Sequence, residues 1–199
     1  MAVRTPGLSG AMLPAIRDGS SLNQALDLGY RQVLVERGSL LAMLGPLVAA
    51  ARQGIAIFVN LDGVAGLAGD SAALAFLATD LGFSGVLSVK PQLLRDASRF
   101  RLRTVQRIHA LDSTGLETGL NSIVSPAPYA IAIAPAVAVP QVLGTIRLTT
   151  KAPVWGTGFV TSADQANEVL SAGADVVSSS HSEVWLDFIR IPLRSVVAQ

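Results

Sequence analysis

Two short segments near the end of the chain contain residue types that commonly bind phosphate. The first is Gly156-Thr157-Gly158, and the second is the serine run Ser178-Ser179-Ser180. Glycine lets backbone N–H groups approach an anion closely, and serine hydroxyls add further donors. Each segment precedes a predicted helix start, where the helix dipole favours negative charge. Together the two segments predict an anion site whose donors fit a phosphate group.

Further polar residues follow other short apolar runs, namely Arg17, Asn60, Asp62, Lys90, Gln106 and Arg107. Asn60 and Asp62 are two residues apart, as are Ser88 and Lys90, and this spacing puts both members of a pair on one face of a strand. If the runs are parallel strands, their carboxyl ends meet at one edge of the sheet. We therefore predict that these side chains, with the glycines and serines above, bind one small phosphorylated ligand.

Lys90 and Asp62 also leave an enzymatic interpretation open. A lysine amine can form a Schiff base with a carbonyl substrate, and an aspartate beside it can transfer a proton. The pair thus predicts, as the alternative function, a phosphosugar lyase or isomerase of barrel type. A lysine at a strand end more often neutralises phosphate as a simple charge. We rank ligand binding first and assign no catalytic residue.

No metal or cofactor is expected. The chain has no cysteine and two histidines, His109 and His181, whose spacing does not suit a metal ion. The 199 residues are 50% hydrophobic with a mean hydropathy of +0.49, yet no apolar run approaches the roughly 20 residues that span a bilayer. We expect one domain over residues 1–199, located in the cytoplasm, with no membrane contact. A net charge of +1 restricts any nucleic-acid site to a local patch.

The elements that must position these residues alternate along the chain. Short apolar runs rich in β-branched residues are separated by longer amphipathic segments, which is typical of βα units around a parallel sheet. The predicted strands cover residues 11–17, 32–36, 55–61, 85–89, 102–108, 130–134, 154–156 and 175–178. Eight units in so short a chain predict a compact TIM-like (β/α)8 barrel of the α/β class. An open doubly wound sheet is the alternative.

Residue types at the predicted helix ends agree with these units. Ser162 with Gln165 fits a capping box, and Asp70 and Ser39 precede apolar helical runs. Glycines that follow helical runs and precede strands predict left-handed helix ends, and they are Gly29, Gly54, Gly82 and Gly173.

Several segments resemble one protein family. They are residues 14–18 (PAIRD), 58–62 (FVNLD), 104–107 (TVQR), 111–113 (LDS) and the stretch from AGA at 172–174 to Trp185. Through them the chain resembles the glycerol-3-phosphate-responsive antiterminators, the glycerol uptake operon regulatory proteins, in order over nearly its whole length. The resemblance implies a barrel that binds glycerol 3-phosphate and acts on leader mRNA so that transcription passes a terminator. It carries over to Arg17, Asp62, Lys90, Gln106, Arg107, Gly158 and Ser178 to Ser180.

Four positions depart from the family pattern. Asn60 replaces a histidine, Ala65 and Ala132 replace acidic residues, and Thr157 replaces a glycine. Because these positions bear on the non-phosphate part of the ligand, they indicate a divergent member, and they leave open whether the ligand is glycerol 3-phosphate or another small phosphorylated metabolite.

For leader mRNA, the best local patch consists of Arg95, Arg99, Arg101 and Arg103. The first two lie one helical turn apart, and the others begin the fifth predicted strand. Such a patch contacts RNA phosphates without reading sequence. Its place near a strand start puts it at the barrel end opposite the ligand. Association into a homo-oligomer is left open.

Overall fold

A computed structural model describes residues 10–190, which form a closed barrel of eight parallel strands. The strands are β1 (Ala11–Ile16), β2 (Gln32–Val35), β4 (Ala56–Asn60), β6 (Gly85–Ser88), β7 (Arg103–His109), β8 (Ala130–Ala134), β9 (Val154–Thr157) and β10 (Val176–Ser179), with the two-residue strands β3 (Gly38–Ser39) and β5 (Val64–Ala65) forming a separate pair. The order around the barrel is β1-β10-β9-β8-β7-β6-β4-β2, and β1 pairs with both β10 and β2. This closure excludes the open doubly wound sheet.

All eight predicted barrel strands are present, and each predicted end differs from the observed one by at most one residue. The helices that follow them are α1 (Gly19–Asp27), α2 (Leu40–Arg52), α3 (Ser71–Ala75), α4 (Pro91–Arg99), α5 (Ser113–Asn121), α6 (Val139–Thr149), α7 (Ala163–Ser171) and α8 (Ser182–Arg190). A π-helical turn, Phe76–Asp80, continues α3. Among the helices within residues 10–190, none is both long and apolar enough to cross a membrane.

The predicted N-caps and helix-ending glycines are confirmed, but the capping box is not complete, because Gln165 Oε1 accepts from the N–H of Thr161 and not from that of Ser162. The side chains of Ser39, Asp70 and Ser162 each accept a hydrogen bond from a backbone N–H in the first turn of α2, α3 and α7. The four predicted helix-ending glycines have φ between 66° and 106°. Because these caps satisfy backbone groups that the helix itself leaves unpaired, they fix where each helix begins and where the next strand enters the sheet.

The barrel interior is filled by alternate residues of the strands. They are Leu13, Leu34, Phe58, Leu87, Val105, Ala130, Ala132, Trp155 and Val176. Phe58 and Trp155 meet edge to face, with ring centroids 5.2 Å apart. The other face of each strand packs against the helices, where a larger apolar cluster includes Ile16, Ile57 and Val177. Side chains alternate between the two faces of a strand. A polar residue that is two or four positions after an interior residue of its strand therefore points into the barrel mouth.

Candidate functional site

A pocket of about 330 Å³ opens at the carboxyl ends of the barrel strands. Of the residues predicted for the ligand site, it is lined by Arg17, Arg107, Gly158, Ser178, Ser179 and Ser180. This is the end at which barrels of this type bind ligands. The loops after β9 and β10, which carry the glycine and serine segments, therefore lie side by side on one wall of the pocket.

The loop after β9 turns sharply into the pocket wall. Gly158 and Phe159 have φ of 80° and 59°, both in the left-handed region. Within residues 10–190, the backbone N–H groups of Gly158, Phe159 and Ser180 form no hydrogen bond to another backbone group. Helices α7 and α8 begin a few residues after these loops. Free N–H groups beside helix N-termini favour an anion at this wall.

The three serines have different roles. Ser178 is 3% exposed, lines the pocket and continues the interior parity of Val176. The Ser179 hydroxyl donates to the carbonyl of Val160 at 2.7 Å and accepts from the N–H of His181 at 3.1 Å. It thereby connects the loop after β10 to the loop after β9. The Ser180 hydroxyl accepts from an Arg17 side chain.

Arg17 provides the positive charge next to the serine loop. Its Nη2 donates to Ser180 Oγ at 2.8 Å, and its backbone N–H donates to Ser21 Oγ at 3.1 Å. Asp18 caps α1 by accepting from the N–H of Ser21 at 2.8 Å. That hydrogen bond, followed by the one from the Ser21 hydroxyl, lowers the pKa of Asp18. The capping interaction fixes the backbone at Arg17 while its exposed guanidinium faces the pocket.

Glu36 and Arg107 form an ion pair inside the pocket. Arg107 Nη1 and Nη2 each donate to one carboxylate oxygen of Glu36, both at 2.9 Å. Their side chains are 11% and 19% exposed, in the order Arg107 and Glu36. Asn60 Nδ2 donates to the backbone carbonyl of Glu36 at 3.0 Å and to its Oε1 at 3.1 Å. The charge of Arg107 is therefore already balanced.

Sequence reasoning placed Glu36 at the end of a strand but did not include it in the site. The interior position of Leu34, two residues earlier, was the signal that could have found it. Phe159 and His181 also line the pocket and were not predicted as site residues. Thr157, which belongs to the predicted phosphate segment but was not predicted as a ligand residue, lines it too and donates to the carbonyl of Ile133 at 3.2 Å.

Gln106 and Gly156 do not line the pocket. The amide of Gln106 donates to the carbonyl and hydroxyl of Ser122 and accepts from the N–H of Val124. Since Arg107 points inward, its neighbour Gln106 must point outward. A Cβ on Gly156 would meet Val169 Cγ1 at 2.6 Å. Both residues therefore belong to the packing between the strands and the helices.

The group around Lys90 lies beside the pocket and not in it. Leu87 belongs to the barrel interior, so Ser88 faces outward, and its hydroxyl donates to Asp62 at 3.0 Å. Asp62 also accepts from the N–H of Val89 at 2.7 Å. Lys90 is the N-cap of α4. The prediction that Ser88 and Lys90 both point into the mouth is thus wrong, because Ser88 is next to the inward-facing Leu87 on β6 and therefore faces outward.

The geometry gives little support to the lyase or isomerase alternative. Lys90 Nζ is 3.9 Å from Asp62, and the lysine side chain is 67% exposed. A Schiff-base lysine requires an apolar pocket or a neighbouring cation to activate its amine. Around Lys90 the nearest charge is a carboxylate and much of the rest is solvent. Within residues 10–190, no group of three or more His, Asp or Glu residues could hold a metal ion.

The four arginines of the predicted RNA patch are all exposed. Arg99 pairs with Asp96 at 3.1 Å, and Arg95 donates to Gln92 within the same helix. The Arg103 guanidinium lies 5.1 Å from the ring centroid of Tyr129. Arg101 and Arg103 precede or begin β7, so they lie at the strand-start end of the barrel, opposite the pocket.

Comparisons with known proteins agree with this fold. The structure of a glycerol uptake operon antiterminator regulatory protein from Listeria monocytogenes superposes with a TM-score of 0.80, at 22% identity, covering 94% of this chain and 99% of the other. A related protein from Thermotoga maritima has a TM-score of 0.73 at 24% identity, covering 88% and 98%.

Two further proteins that are similar to this chain are not described as antiterminators. A deoxyribose phosphate aldolase from Aeropyrum pernix has the same barrel fold, with a TM-score of 0.70 at 14% identity over 92% of this chain and 91% of the other. The Escherichia coli protein YgcP, described as uncharacterized, is 22% identical over 174 residues, 87% of this chain and 91% of that protein. The family model for glycerol-3-phosphate responsive antiterminators matches residues 12–185. The chain therefore belongs to the glycerol-3-phosphate responsive antiterminator family.

Proposed function

We propose that this protein binds glycerol 3-phosphate, or another small phosphorylated metabolite, in the pocket and acts on a leader mRNA as an antiterminator. The observation that carries the proposal is the anion wall, which we define as Arg17, Gly158, Phe159, Ser178 and Ser180. In it a guanidinium bonded to Ser180 lies beside backbone N–H groups that have no backbone partner within residues 10–190. These donors match the oxygens of a phosphate monoester.

The charge distribution supports a phosphate at the anion wall and not at Arg107. Glu36 already balances the charge of Arg107 through both Nη atoms, so the ion pair offers a phosphate no net positive charge. Arg17 and Arg37 are exposed cations that line the same pocket. An incoming dianion therefore meets net positive charge on the side formed by the ends of β2, β1 and β10.

Titration calorimetry with glycerol 3-phosphate tests the ligand part. We expect saturable binding to the wild type and affinity roughly 10- to 100-fold weaker in Arg17→Ala, since a hydrogen bond to a charged group contributes about 1.5–3 kcal/mol. Arg52→Ala is the matched control, because Arg52 is exposed in the last turn of α2, away from the pocket. Absence of binding at millimolar ligand, or equal affinity in both variants, would contradict the proposal.

The RNA part rests on family membership and on four exposed arginines, Arg95 and Arg99 in α4, Arg101 just before β7 and Arg103 at its start. A regulator that meets a metabolite and a nascent transcript together acts in the cytoplasm, and we propose that location. Exposed arginines that contact phosphates without reading bases produce a salt-dependent affinity.

A gel shift with the leader RNA of a glycerol-uptake gene, with and without glycerol 3-phosphate, tests this second part. We expect ligand to strengthen binding, and we expect Arg101→Ala to weaken it and reduce the slope against salt by about 1. Arg52→Ala again serves as the control. Equal shifts with and without ligand would contradict control of RNA binding by the metabolite. An unchanged salt slope in Arg101→Ala would move the RNA surface elsewhere.

A further inference from the structure

We infer that Glu36 selects the non-phosphate part of the ligand, so that the pocket accepts phosphate esters bearing hydroxyl groups and rejects phosphates bearing a second acidic group. This inference rests on the proposed ligand function and specifies its chemical class. It is carried by the pairing of Glu36 with Arg107 inside the pocket and with Asn60, which is buried and does not line the pocket.

Glu36 is held in one orientation before any ligand arrives. Arg107 donates a hydrogen bond to each carboxylate oxygen of Glu36, and Asn60 donates to the backbone carbonyl and to Oε1 of Glu36. Asn60 is itself fixed, because its Oδ1 accepts from the N–H of Asp62 at 3.1 Å. A carboxylate whose position is set by its neighbours can discriminate between ligands without first being ordered.

The hydrogen bonds leave capacity on one oxygen. A carboxylate offers about four acceptor sites. Oε1 of Glu36 uses two of them, for Arg107 and Asn60, while Oε2 accepts only from Arg107 within the part of the chain that the structure describes. Oε2 can therefore accept one more hydrogen bond, and a ligand hydroxyl is a donor of the correct kind.

The position of Glu36 in the pocket fits this role. Around the barrel, β2 is adjacent to β1, and β1 is adjacent to β10. Glu36 follows β2, and Arg17 follows the neighbouring strand β1. A small ester whose phosphate lies against the anion wall directs the rest of its chain toward the mouth where Glu36 lies.

The same arrangement works against a ligand carboxylate. Arg107 would attract such a group, but its positive charge is already balanced by the Glu36 carboxylate. A second carboxylate near Glu36 would meet like charge in a partly buried setting, where repulsion is poorly screened. The chain therefore favours an uncharged, hydroxyl-bearing tail over an anionic one.

Calorimetry on the wild type tests this without any substitution, using three probes of similar size. We expect glycerol 3-phosphate to bind roughly 10- to 100-fold more tightly than propyl phosphate, which lacks the hydroxyls, and than 3-phosphoglycerate, which carries a carboxylate. Equal affinities for the three would overturn the inference while leaving the phosphate site standing. Failure of all three to bind would instead overturn the proposed function itself.

Glu36→Gln identifies the residue responsible. The amide keeps an acceptor oxygen but removes the negative charge, so the preference for glycerol 3-phosphate over 3-phosphoglycerate should fall by about tenfold or more. The control is Glu117→Gln, at an exposed position in α5. Circular dichroism establishes that each variant is folded. If folded Glu36→Gln keeps the wild-type preference, Glu36 does not select the ligand. If the variant does not fold, the affinity ratios of the wild type decide the inference.

Discussion

Arg107 and Glu36 are 71 residues apart in sequence and joined by two hydrogen bonds of 2.9 Å across the barrel mouth. Their strands, β7 and β2, are not neighbours, because β6 and β4 lie between them. The pair therefore ties two sides of the mouth together through side chains alone. Since each charge of the pair balances the other, Arg107 adds no net positive charge to the mouth.

A double-mutant cycle measures this connection. We expect Glu36→Gln and Arg107→Gln each to lower the free energy of unfolding by about 2–4 kcal/mol, because each leaves one partly buried charge without its partner. The double variant should lose less than the sum, since neither charge remains. Urea unfolding of the four proteins gives the coupling. Additivity within about 0.5 kcal/mol would mean that the pair contributes little.

Gly85 faces the barrel interior beside Phe58. A Cβ there would overlap the carbonyl oxygen of Arg103 and lie 2.6 Å from Phe58 Cε1. Gly85→Ala should therefore lower the free energy of unfolding by about 1–3 kcal/mol through overpacking. Gly144→Ala is the matched control, because nothing lies within 4 Å of its Cβ and the position is inside α6. There the helix gains about 0.5–1 kcal/mol. Thermal unfolding of both variants should thus give shifts of opposite sign.

Phe159 combines a φ of 59° with 76% exposure. Asparagine tolerates left-handed backbone better than phenylalanine, and little apolar area would be lost. Phe159→Asn should consequently raise the free energy of unfolding by about 0.5–1 kcal/mol. The control is Leu148→Asn, at a 90% exposed position in α6, where the poorer helix propensity of asparagine should lower the free energy of unfolding. A lower melting temperature for Phe159→Asn would show that its ring stabilises the loop.

Tyr30 connects α1 with α8, since its hydroxyl donates to the carbonyl of Trp185 at 2.9 Å. Burial raises the pKa of Tyr30 above its ordinary value. The unfolded chain therefore ionises first as pH rises, and the stability that the neutral phenol contributes is present below about pH 10 and declines above it. Tyr30→Phe should cost about 1 kcal/mol at pH 7.

Urea unfolding at pH 8 and at pH 10.5 tests the sign for Tyr30. The stability difference between wild type and Tyr30→Phe should shrink at the higher pH, because only the wild type loses stability through this group. A difference that stays constant across the two values would contradict the burial of the phenol.

The barrel itself was predictable from sequence because eight apolar runs alternate with helical segments, several of them bounded by a cap or a glycine, and leave few other arrangements. The site was only partly predictable. Gln106 and Arg107 were assigned to it together, yet adjacent strand residues point to opposite faces. Which of the two points inward depends on how the barrel closes, and that depends on contacts between distant strands. Closure likewise decides that Glu36 meets Arg107.

The short pair β3 and β5 could not be predicted, since two residues carry no periodic signal. The pair nevertheless lies at the mouth, because Gly38 and Val64, which pair with each other, are two residues after Glu36 and Asp62. At Gly38 a Cβ would overlap the carbonyl of Arg17, and its φ is 109°. Such a close approach shows only when strands from different parts of the chain are in place.

The measurement that tests the account most directly is a crystal structure of the protein with glycerol 3-phosphate. We expect the phosphate within hydrogen-bond distance of Arg17, Ser180 and the N–H of Gly158 or Phe159, and a glycerol hydroxyl within reach of Glu36 Oε2. A phosphate that displaces Glu36 from Arg107, or that lies outside this pocket at full occupancy, would contradict the account.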